Sequence, residues 1–145
     1  MNPLIQLEKI CLVCVAVLAC YGLSLALNAN TIAFTNTNDS GPGSLRQALA
    51  VANNGDTINA TGVSGTILLT SGALEITHNV RINGPGVGNL AVNGNATFTV
   101  FDNSRSASDV TISGFTITNG GINNRGALIK HGVRFYAPAA AQVTP

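Results

Sequence analysis

Between Val80 and Gly120 the chain states one short pattern four times. The runs are Val80-Arg81-Ile82-Asn83-Gly84, Leu90-Ala91-Val92-Asn93-Gly94, Val110-Thr111-Ile112-Ser113-Gly114 and Phe115-Thr116-Ile117-Thr118-Asn119-Gly120. Each alternates apolar and polar residues, which turns one face of a short strand inward and the other toward water. Each then stops on Asn or Ser plus Gly, a pair suited to a backbone turning through positive φ. Short strand-turn units repeated in this way predict a solenoid, and specifically a parallel β-helix. Such a stack can bind, adhere or carry a site, so the fold alone does not define the function.

The length of 145 residues predicts one domain. Charged residues make up 9% and the formal net charge is +1. That leaves no basic footprint, and nucleic acid is not an expected partner. Trp is absent and aromatics are 5%, too few for an aromatic sugar-binding platform. Seventeen Asn stand beside 16 Gly, a bias that fits tight turns and Asn ladders between stacked strands. A disordered Asn/Gly-rich chain is the alternative, but the β-branched alternation is too regular for it.

Residues 1–29 read as a signal peptide. From Ile10 to Leu27 the chain carries no charge, and Ser24-Leu25-Ala26 supplies small residues for cleavage after Ala26, with Ala29 as a second candidate. The same run is just long enough to be an uncleaved membrane anchor. Val17-Leu18-Ala19-Cys20 also resembles a bacterial lipobox, which would lipidate Cys20. Cys11, Cys14 and Cys20 all fall in this segment. The exported remainder then has no disulfide framework and no Cys-based metal site.

Residues 30–56 read as an N-terminal cap. Thr31-Ile32-Ala33-Phe34-Thr35 alternates as a first strand, and residues 36–43 are turn chemistry. Ser44 with Gln47 fits a capping box. Leu45, Ala48, Leu49 and Ala52 then share one face of a short helix, and Asn54-Gly55 supplies a left-handed stop. A strand and helix here would cover the exposed first turn of a solenoid. Arg46 and Gln47 could instead belong to a binding surface.

The run Thr35 to Ala48, then Asn54-Gly55-Asp56-Thr57-Ile58, Ser64-Gly65-Thr66-Ile67, Ile82-Asn83-Gly84-Pro85-Gly86 and residues 110–120, resembles the CSLREA-type N-terminal region. That region opens bacterial surface and secreted right-handed parallel β-helix proteins of the autotransporter and adhesin-like kind. The resemblance covers about residues 31–124. The motif's Cys is Gly43 here and its Glu is Gln47, so the motif is matched in part. The resemblance implies export, a right-handed parallel β-helix and a cell-surface role, and it implies no catalytic residue.

Over residues 57–124, with Asp56 opening the first, the expected strands are Asp56–Ala60, Thr66–Leu69, Leu74–Thr77, Val80–Ile82, Asn89–Val92, Thr97–Phe101, Asp109–Ser113 and Phe115–Thr118. These make about two to three coils. The inward positions are Ile67, Leu69, Leu74, Ile76, Val80, Ile82, Leu90, Val92, Phe98, Val100, Val110, Ile112, Phe115 and Ile117. From Arg125 the punctuation stops, and residues 125–145 read as an off-pattern, disordered tail, either frameshifted or prematurely ended. A divergent terminus that covers the last coil is the alternative. An open β-helix end predicts end-to-end self-association.

Little in the sequence points to catalysis. A calcium-dependent lyase needs clustered carboxylates, and after the signal segment there are only Asp39, Asp56, Glu75, Asp102 and Asp109. A glycoside hydrolase needs two facing carboxylates, for which Asp102 and Asp109 are the best pair. Their plainer role is turn polarity. His78 and His131 have no partner in sequence, and Gly84-Pro85-Gly86-Val87-Gly88 lacks the Lys and helix of a phosphate loop. The sequence therefore names no catalytic, cofactor-binding or metal residue and no cofactor.

The expectation is an all-β, non-enzymatic, exported scaffold, secreted or at the cell surface or outer membrane. Its partners would be the export machinery and a host or matrix glycan or protein. The alternatives are the N-terminal fragment of a carbohydrate-active β-helix enzyme, or a non-functional truncated gene product.

Overall fold

The computed structural model describes residues 28–106 and 108–136. The segment read as a signal peptide, apart from Asn28 and Ala29, and the Pro/Ala-rich stretch 137–145 lie outside the described residues. Among the described residues no helix is long and apolar enough to cross a membrane.

The described chain is mostly β, with parallel sheets and one short helix. Strand β1 (Thr31–Phe34) precedes helix α1 (Leu45–Val51). There follow β2 (Thr57–Ala60), β3 (Gly65–Leu68), β4 (Leu74–Glu75), β5 (Val80–Asn83), β6 (Leu90–Asn93) and β7 (Phe101–Asn103). Then come β8 (Val110–Ser113), β9 (Thr116–Thr118), β10 (Ile122–Asn124), β11 (Leu128–His131) and β12 (Arg134–Tyr136). They form three sheets, ordered β1-β2-β5-β8-β11, β3-β6-β9-β12 and β4-β7-β10. From β2 onward the chain visits the sheets in one fixed cyclic order, and every pairing is parallel.

Parallel in-register pairing stacks like upon like. Ile58, Ile82 and Ile112 are register partners in the first sheet, and Ile67, Val92 and Ile117 in the second. All are buried. Burying each such side chain contributes about 1.5–3 kcal/mol. Phe115 joins the columns, stacked against Phe34 at 6.4 Å and edge-on to Phe101 at 6.1 Å.

Of the eight expected strands, Leu74–Thr77 shortens to Leu74–Glu75 and one is displaced, while Ile122–Asn124 is an added strand. Residues 94–98 form a turn instead of opening a strand. Asn95 and Ala96 take φ of 55° and 52°, and the Gly94 carbonyl accepts from the amides of both Thr97 and Phe98. The strand is delayed to Phe101–Asn103, which leaves Phe98 half-buried and places Phe101 in the core.

The Gly stops are correct in position, and two of the four also turn through positive φ as expected, at Gly114 (70°) and at Asn119 before Gly120 (49°). Gly84, Gly94 and Gly120 do not adopt positive φ. A Cβ on Gly84 would stand 2.3 Å from the Gly114 carbonyl oxygen, and one on Gly94 would stand 2.3 Å from that of Phe98. Close passage of backbone over backbone excludes a side chain there.

Helix α1 starts as expected. Ser44 Oγ accepts from the Gln47 amide at 3.1 Å, and Leu45, Ala48, Leu49 and Ala52 are buried. It ends at Val51 with Ala52 extended (φ −69°, ψ 148°), before the left-handed Gly55 (φ 91°). The Asn54-Gly55 stop therefore belongs to the following turn and not to the helix end.

Over residues 125–136 the expected disordered tail is corrected. β11 pairs with β8 and β12 with β9, in register with the preceding cycle. The ladder continues through the Val110 amide to the Ala127 carbonyl and the Arg134 amide to the Phe115 carbonyl. Backbone pairing sustains these strands without the Asn-Gly punctuation or the buried alternation that marked the earlier ones, since their side chains are half-buried or exposed.

Candidate functional site

The third sheet brings together carboxylates that are far apart in sequence. Leu74 and Phe101 are inward register partners, followed by Ile122. The next residues, Glu75, Asp102 and Asn123, therefore form a row on the outer face. Neighbouring strands lie about 4.8 Å apart, and like charges directly opposite destabilise a sheet. Local contacts offset this repulsion. Arg105 Nη1 lies 3.5 Å from Glu75 Oε1, and Asp102 Oδ1 accepts from the Ser104 amide at 2.8 Å. Ser104, through its side chain and then its amide, holds the Asp102 carboxyl below the usual carboxylate range. Sequence reading missed the Glu75–Asp102 pair because 27 positions separate partners that only the strand register aligns.

The sequence-based pair, Asp102 and Asp109, divides between two sheets. Asp102 lies in β7, while Asp109 immediately precedes β8. Asp109 belongs to a ladder at the entry to the first sheet. Asn54 Oδ1 accepts from the Asn79 amide, Asn79 Oδ1 from the Asp109 amide, and Asp109 Oδ1 from the Ala127 amide, at 2.8, 2.8 and 3.2 Å. Each side chain thus ties its own cycle to the next. Further ladders close other corners: Asn83 donates to Asn59 and accepts from Ser113, Asn119 donates to Asn93, and Asn103 donates to Asn124. These ladders use eight of the seventeen Asn.

Asp56 is 2% exposed. Its carboxylate accepts from the Asn53 and Asn30 amides, both at 2.8 Å, and these bonds hold it below the usual range. Asp39 receives more. Its Oδ1 pairs with Arg46 Nη2 at 2.6 Å, and its Oδ2 accepts from the amides and hydroxyls of Thr70 and Ser71. Burial pushes this carboxyl up, but Arg46, Ser71 and Thr70 together outweigh it and leave it far below the usual range. Arg46 also donates to the carbonyls of Asp39, Gly72 and Ala73. Of the two roles open to Arg46, capping is the one its contacts fill.

A groove of about 370 Å³ runs between α1 and β4, lined by Arg46, Leu49, Ser71 and Glu75 among others. It adjoins the carboxylate row at Glu75. His78 contacts Thr77 Oγ1 through Nδ1, and His131 is exposed on β11. Among the described residues no three His, Cys, Asp or Glu side chains come together as a metal site would need. No buried side-chain polar atom among them lacks a hydrogen-bond partner.

Compared with family models, with curated proteins and with solved structures, the chain gives no match.

Proposed function

We propose that this chain is an exported, non-enzymatic scaffold, a right-handed parallel β-helix that presents its outer faces for adhesion or binding at a cell surface. One observation carries the non-catalytic part. Asp39, Asp56, Asp102 and Asp109 each accept hydrogen bonds from backbone amides of other segments or of the adjoining turn. Carboxylates used this way hold the stack together, and in Asp39, Asp56 and Asp102 these bonds keep the carboxyl below its usual range. A general acid needs the opposite shift.

The fold supports the β-helix reading through its cyclic visits to three parallel sheets. The right hand follows from the strong preference of parallel crossovers. Export and surface location rest on the apolar segment at Ile10–Leu27 and on the CSLREA-type resemblance. The outer row Thr57, Arg81, Thr111 and Ile129 gives the first sheet a mixed polar and apolar face suited to a glycan or protein of the host or matrix. The test is a panel of glycans and matrix proteins scored for retention and for product. Retention without product supports the scaffold, and unsaturated sugars or new reducing ends overturn it.

The Glu75–Asp102 row favours a second reading, a carbohydrate-active fragment. A glycoside hydrolase works with a pair of carboxylates, and the register sets these two side by side on one face. That reading predicts that Glu75→Gln and Asp102→Asn each abolish turnover. Turnover unaffected by both would exclude this row.

A further inference from the structure

The last described cycle departs from the columns beneath it at two inward positions. In the first sheet the column Ile58, Ile82, Ile112 continues as Lys130. In the second, Ile67, Val92, Ile117 continues as Phe135. Parallel register partners point the same way, so a lysine stands where a fourth buried apolar residue would. Lys130 Nζ lies 5.1 Å from the centroid of the Phe135 ring, a cation–π contact joining two sheets. Its aliphatic stem can lie along apolar surface while the ammonium stays in water.

The opposite end is built differently. There β1 covers β2, α1 packs on β1 and β4, and Asp39 ties the loop ahead of α1 to Thr70 and Ser71. A pairing of two copies at this end is isologous, between two ends of the same kind. That pairing would bring together two copies of Arg125, Lys130 and Arg134. Asp109, bonded to the Ala127 amide, sets one carboxylate beside this cycle against the three cations. Inward-pointing charge is a known means of keeping strand edges from pairing.

The geometry points to Lys130 as the residue that keeps a second copy from stacking on the cycle formed by residues 125–136. A layer laid over Lys130 would bury an unpaired ammonium. Restoring the isoleucine column removes that barrier.

The test is sedimentation velocity on the purified chain across a concentration series, with circular dichroism to verify folding. Wild type and Lys130→Arg are expected to stay monomeric. Lys130→Ile is expected to self-associate about a hundredfold more tightly, and Lys130→Gln, which keeps the stem without the charge, by a smaller factor. Thr111→Ile adds the same apolar bulk on the outer face and is expected to stay monomeric. Association of the wild type, an equal response from Thr111→Ile, or monomeric Lys130→Ile and Lys130→Gln would each overturn the proposal.

Discussion

At the residue scale, Asp39 is the most heavily used side chain among the described residues. It joins the loop before α1 to the turn after β3, with Arg46 as its counter-ion. Breaking such a pair leaves the other charge and several donors unmet. Asp39→Ala should destabilise the fold by about 2–3 kcal/mol in urea unfolding. Asp39, Asp56 and Asp102 all lie below the usual carboxylate value when folded. A depressed folded value contributes stability that is fully present above the unfolded value, about 4, and is lost as pH falls toward the folded one. The unfolding midpoint in urea should therefore be flat from pH 7 to 5 and drop by pH 3. In Asp39→Asn the drop should be smaller, and an unchanged drop would show that other groups carry it. Sequence reading placed Asp39 in turn chemistry and Asp56 at the opening of a strand, a partial account. The identity of their donors depends on segments up to 32 positions away, which no local pattern encodes.

At the element scale, the helix and the Gly stops were legible for different reasons. Ser44 and the apolar spacing of α1 are local signals, so the start of the helix and its buried face could be read directly. Ser44→Ala should cost about 1 kcal/mol, read from the shift in thermal midpoint. The Gly stops mark strand ends in the sequence, but their physical cause is a contact between successive cycles. Gly84→Ala should destabilise by about 2–3 kcal/mol, because its methyl would meet the Gly114 carbonyl and not merely an unfavourable φ. A left-handed glycine on the surface with open space around it, such as Gly62 (φ 66°), should tolerate Ala at about 1 kcal/mol. A reversed ranking would refute the close-passage explanation. The strand at 101–103 was misplaced because the alternation of residues 97–101 fits a strand, while a pair of turn bonds to Gly94 captured its first half.

At the scale of the whole molecule, short alternating runs made the parallel stack legible, and strand register converts them into columns of like residues. The last cycle was not legible, because its inward positions are filled by Lys130 and Phe135 instead of aliphatic residues. Asp39, Asp56, Asp102 and Asp109 are committed to backbone amides, Glu75 faces outward beside Arg105, and the proposed binding role rests on the outer surface. The most direct measurement is a NOESY experiment on isotope-labelled chain, reading contacts between neighbouring strands from β5 to β12. The cyclic parallel stack predicts contacts from Ile82 to Ile112, from Ile112 to Lys130 and from Ile117 to Phe135. Contacts that end at Asn124, or an antiparallel pairing of residues 128–136, would contradict it.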